Sequence, residues 1–91
     1  MKSVICAIKD RAIDAFQAPF AVRAEGEAIR AFTDAINNQN HQNNMHAHAE
    51  DYDLYVVGHF HDHNGKIEPL EEPRQIAIGK NVKLISMTVG R

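Results

Sequence analysis

The chain has 91 residues, 44% of them apolar, with a formal net charge of −2. That length fits one domain with one small core, and the composition excludes wholesale disorder. One cysteine, Cys6, excludes an internal disulfide, and no stretch is long and apolar enough to span a bilayer as a helix.

The expectation is a soluble, intracellular protein, because "SVICAI" is too short for a signal h-region and lacks a cleavage pattern. A core this small gains stability from self-association, so a homo-oligomer is expected. The charges are unevenly spread. Residues 36–73 carry one base, Lys66, against Glu50, Asp51, Asp53, Asp62, Glu68, Glu71 and Glu72. Residues 74–91 carry Arg74, Lys80, Lys83 and Arg91 and no acid, a basic C-terminal strand segment able to meet a polyanion.

In chain order, "SVICAIK" (3–9) is a β-branched apolar run that reads as a central strand. Pro19 disfavours helix at Ala18, and "FAVR" (20–23) suits a brief second strand. "EGEAIRAFTDAINN" is the clearest helix. Ile29, Phe32 and Ile36 form one stripe, Glu25 and Glu27 sit at the positive end of the dipole, and Asn37 and Asn38 are terminators. Residues 38–49 are polar and read as a mobile loop or a helix extension.

"YDLYVVGHFHDHNGKIE" is a hairpin signal. Strict alternation puts Leu54, Val56 and Phe60 on the buried face and Tyr55, Val57, His59 and His61 on the wet one. A two-residue Asn64-Gly65 turn pairs His63 with Lys66, Asp62 with Ile67 and His61 with Glu68, and buries Ile67 beside Phe60. "RQIAIG" and "KNVKLISMTV" read as further strands. The fold class is α+β: a mainly antiparallel sheet of about four to five strands packed on one main helix, in a single domain, 1–91.

The histidines invite a metal reading, with His59 and His61 two apart on a strand and His63, His41, His46, His48 and Asp62 as further donors. No recognised spacing joins them, and alternation with a His61–Glu68 pair explains the residues, so no metal or other cofactor is assigned. Cys6 lies in a buried strand, Ser3 and Ser86 sit in no nucleophile motif, and "AEGEAIR" has a single glycine. The chain therefore reads as nonenzymatic. Binding remains, and single-stranded nucleic acid needs cations for phosphates and aromatic faces for bases. The candidate nucleic-acid-binding residues are Lys80 and Lys83 first, then Lys9, Arg11, Arg23, Arg30, Arg74 and Tyr55, with Tyr52, Phe16 and Phe20 as further aromatics.

"FQAPFAVRAEGEAIRAFTDAINN" followed by "HAEDYDLYVVGHFHDHNGKI" resembles the small nonstructural protein of gokushoviruses, single-stranded DNA phages of the Microviridae. The resemblance spans roughly residues 5 to 70 by eye. It rests on the Pro-Phe step with Arg23, the "GEAIRAF" helix start, "EDYDLY" and the Asn-Gly hairpin. It departs at the histidine-rich hairpin, where the family is acidic and polar. The resemblance implies a DNA-binding phage protein acting in host cytoplasm, in genome replication or the switch to single-strand synthesis and packaging. It carries no residue roles. The partners expected are single-stranded DNA, further copies of the chain, and viral capsid or replication proteins, with no membrane. A scaffolding or assembly factor that binds capsid or replication protein is the alternative.

Overall fold

The structure, a computed structural model, describes residues 2–40 and 42–83. Its elements are β1 (Lys2–Asp10), β2 (Ala15–Phe16), β3 (Phe20–Val22), α1 (Glu25–Asn37), α2 (Asn44–Ala47), a 3-10 turn (Ala49–Asp51), β4 (Tyr52–His61), β5 (Lys66–Ile78) and α3 (Gly79–Val82). The fold is α+β. An antiparallel sheet ordered β2-β1-β4-β5, with β3 also on β1, curls as a half-barrel around the main helix. No helix among the described residues is long and apolar enough to cross a membrane.

The core forms where two periodicities meet. Phe32, Ile36 and Ala28 of α1 are buried against Cys6 and Ile8 of β1 and Tyr52, Leu54 and Val56 of β4. Even-numbered positions of both strands thus face the helix. Odd-numbered positions, among them Lys9, Asp53 and Tyr55, point to the opposite side of the sheet.

That alternation does not survive the whole of β4. Ile5 pairs with Gly58 while Cys6 pairs with Val56, leaving Val57 as the extra residue of a β-bulge. Beyond it the parity reverses. His59 and His61 pair with Val4 and Lys2 on the helix-bearing face, whereas Phe60 turns to the opposite face. The expected grouping of Phe60 with Leu54 and Val56 is therefore corrected, and so is the grouping of His59 and His61 with Tyr55 on the other face.

The hairpin register is corrected as well. His61 pairs with Lys66, Phe60 with Ile67 and His59 with Glu68, so the loop has four residues, 62–65. A two-residue turn of the expected kind needs left-handed backbone at both central positions. Gly65 supplies it at φ 75, but Asn64 is not left-handed. The Gly65 amide instead donates to the His61 carbonyl at 2.8 Å, and the Asn64 side chain accepts from the Lys66 amide at 3.0 Å. Ile67 does lie across from Phe60, yet it is 66% exposed rather than buried.

Two segments differ from their sequence reading. Within 38–49, where a loop was expected, α2 forms: the Asn43 side chain accepts from the Met45 amide at 3.1 Å and donates to the carbonyls of Ala35 and Asn38. After β5, which runs through both Pro69 and Pro73, residues 79–82 make a helical turn instead of a strand. Gly79 packs so closely that a Cβ there would meet the Ala49 and Tyr52 carbonyl oxygens at 2.2 and 2.6 Å. The remainder of the strand expected over "KNVKLISMTV", residues 84–89, lies outside the described residues, as does His41.

Candidate nucleic-acid interface

The face opposite α1 carries a compact group of functional side chains at the end where β1 finishes and β4 begins. Lys9 pairs with Phe16 of β2 on one side and with Asp53 of β4 on the other; Ala7 pairs with Tyr55, and Tyr55 with Gln75 of β5. These positions alternate onto one surface. The Phe16 and Tyr55 rings meet edge to face, with centroids 5.4 Å apart and planes at 75°. Such geometry places the positive edge of one ring against the negative face of the other. The Lys9 ammonium lies 5.6 Å from the Phe16 centroid and 3.3 Å from an Asp14 carboxylate oxygen. The Gln75 side-chain amide donates to the Tyr55 hydroxyl at 3.4 Å. Phe16 is 43% exposed, an aromatic left open to solvent beside a cation.

Arg11 closes this end of the patch. Its backbone amide donates to the Asp51 carbonyl at 2.8 Å, and its guanidinium donates to the Glu50 carbonyl. Its Nε lies 3.0 Å from Asp53 Oδ2, whose side chain is only 4% exposed. The other oxygen, Asp53 Oδ1, is buried without a partner. Burying a carboxylate is tolerable only when a cation and hydrogen bonds accompany it, so Arg11 is fixed by what lies beneath it.

The remaining candidates are not brought into this patch. Arg74 lies on the helix-bearing face and donates to Glu25 at the start of α1, and this carboxylate raises the Arg74 pKa. Arg23 is exposed after β3, its backbone amide capped by Glu27 at 2.9 Å, and Arg30 is exposed on α1. Lys80, exposed, and Lys83, half-buried, come after β5 at the same end of the sheet as Lys9 and Arg11, on the side where α3 meets α1 and the 3-10 turn. The eight candidates therefore form no single track. Three of the cations, Lys9, Arg11 and Arg74, face acids, and Lys9, Arg11 and Tyr55 are the members that share a site. Sequence reasoning left Phe16 as a secondary aromatic and missed Asp53 and Gln75. Their signal is positional: both lie at odd distances from the helix-facing stripe, one strand over from Lys9 or Tyr55.

The hairpin histidines form a different arrangement. His61 Nε2 lies 3.1 Å from Glu68 Oε1, and the His61 and His63 rings meet edge to face at 6.0 Å. The His61 hydrogen bond, followed by its charge and those of Lys2 and His59, holds the Glu68 carboxyl below the usual range. Elsewhere, His48, Glu50 and Asp51 offer donor atoms within 4.8 Å of one another, a largely exposed group at the surface of the 3-10 turn. Cys6 is fully buried, and that burial pushes its thiol pKa up, the behaviour of an inert core sulfur.

A family model described as "Phage ORF5 protein" matches residues 3–82. No curated protein and no solved structure matches the chain.

Proposed function

The chain belongs to the Phage ORF5 protein family, and from that premise we propose that this phage protein is a nonenzymatic binder of single-stranded DNA, of the kind gokushoviruses use in genome replication or in the switch to single-strand synthesis and packaging. The observation that carries the reading is the Phe16–Tyr55 pair with Lys9 beside it on the face opposite the helix; Lys9 meets only the exposed Asp14 carboxylate, whereas Arg11 is held by the buried Asp53. Aromatic faces accept any base, and an adjacent lysine releases counterions from phosphates, so the patch suits an unpaired strand without reading its sequence. A duplex hides the base faces that such a patch would stack upon.

The test is binding of labelled single- and double-stranded oligonucleotides across a salt series. Preference for the single strand, weakened by salt and by Tyr55→Ala, is expected. No binding at low salt, or equal affinity for both forms, overturns the reading. The assembly-factor alternative draws on an apolar groove on the same face, lined by Ile5, Pro19, Phe20, Ala21, Phe60 and Ile67. Co-purification with capsid or replication protein, without affinity for DNA, decides in its favour.

A further inference from the structure

β5 is an edge of the sheet: it pairs with β4 on one side and with no other strand among the described residues. Three consecutive positions at the hairpin end of that edge differ in character. Lys66 and Glu68 lie on the helix-bearing face, across from His61 and His59, and Ile67 lies on the opposite face across from Phe60. Ile67 is 66% exposed and borders the apolar groove formed with Ile5 and Phe60. An open edge ending in an exposed isoleucine is a template for another strand.

The order Lys-Ile-Glu restricts what that strand can be. Two antiparallel strands pair residues whose positions sum to a constant. When β5 meets the same edge of a second copy with Ile67 on the two-fold axis, Ile67 opposes its counterpart. Lys66 then opposes Glu68 of the second copy, and Glu68 opposes Lys66 of the second copy. Centring the axis on Lys66 or Glu68 instead sets like charges directly opposite, which is destabilising. Pro69, with no amide hydrogen, bounds the ladder on one side, and the Gly65 turn bounds it on the other.

We propose that the β5 edge from Lys66 to Glu68 is a homodimer interface, isologous about Ile67 and held in register by two reciprocal Lys66–Glu68 pairs. Directly opposed residues of an antiparallel pair share a face, so the two sheets join with their helix-free sides continuous. The Phe16–Tyr55 patches of both copies then lie on one surface, where a single strand can engage both. The interface is argued from the edge and its charges and does not rest on the DNA reading.

The test is the mass of the full chain in solution, measured without nucleic acid by sedimentation equilibrium. The wild-type chain is expected to dimerise. Lys66→Glu and Glu68→Lys should each weaken self-association by roughly tenfold or more. An equimolar mixture of the two variants should recover the dimer, because both cross-pairs become attractive again. Ile67→Asp, at an exposed position and with an unchanged circular dichroism spectrum expected, should also give monomers. A monomeric wild-type chain, a dimer indifferent to these changes, or a mixture that fails to re-associate overturns the proposal.

Discussion

Arg11 and Asp53 form an ion pair of unequal halves: the guanidinium stem is half exposed, while the carboxylate beneath it is almost entirely buried, with one oxygen unpartnered. Removing the two partners should therefore have unequal consequences. Arg11→Ala strands a buried charge and should cost about 1–3 kcal/mol. Replacing Asp53 by Leu in the Arg11→Ala background should return most of that loss, since a well-packed apolar pair is often no worse than a buried ionic one. Urea midpoints of the two variants check this; a double variant less stable than Arg11→Ala refutes it.

On the binding face, Tyr55→Ala should lose about 1–3 kcal/mol of single-strand affinity, the usual worth of one base stacked on an aromatic. Phe16→Ala should behave similarly. Lys9→Ala should act on the salt dependence, lowering the slope of log K against log salt by about 0.7, the contribution of one phosphate on a single strand. Arg74→Ala should leave binding unchanged, because that side chain is held by Glu25 on the other face. Anisotropy titrations at several salt concentrations separate these outcomes.

Gly58 and Gly79 should resist substitution for a shared reason. At Gly58 a Cβ would meet the Glu68 carbonyl oxygen at 2.7 Å and the Pro69 Cα at 3.1 Å, where Gly58 pairs with Pro69 beside a register shift. At Gly79 the obstructing atoms are also backbone. Alanine at either site should destabilise by about 1–3 kcal/mol, with Gly79→Ala the worse. Gly26→Ala, with open space around it, is the control and should unfold with no loss of stability.

The His61–Glu68 pair sets a pH dependence with a defined sign. Folding holds the Glu68 carboxyl below its ordinary value, chiefly through the His61 hydrogen bond. The stabilisation is thus present above the ordinary glutamate range and disappears as pH falls through the lowered folded-state value. Carboxyl carbon chemical shifts followed against pH should show Glu68 titrating low in the native protein. His61→Ala should move that titration up towards the ordinary range; an unmoved midpoint would remove His61 as the cause.

The helix was legible because its stripe is governed by one contact. Phe32 and Ile36 are fully buried where the period of the helix places them, and Ile29 packs beside them. β1 and the existence of the hairpin were legible for similar local reasons. The features that escaped depend on pairing partners far away in sequence. Nothing in "LYVVGHFH" marks Val57 as the extra residue; the bulge exists because Gly58 must align with Ile5 across the sheet. Phe16 ranks only among the further aromatics in the sequence because β2 is two residues long and gains its meaning from Lys9 and Tyr55. The division of the cations between surfaces also depends on pairing: Lys9 on β1 lies opposite the helix, while Arg74 on β5 pairs with Val56 on the helix-bearing face.

The bulge at Val57 also makes β4 intolerant of changes in length. One inserted residue lets Leu54 and Val56 of the first half face the helix while Phe60 of the second half faces the reverse side. Deleting that single codon would drive Phe60 under the helix and expel His59 and His61 to the other surface, severing the contact with Glu68. Counting errors at this point should harm the protein more than most changes of chemistry, and homologous chains should vary in residue type here well before they vary in number.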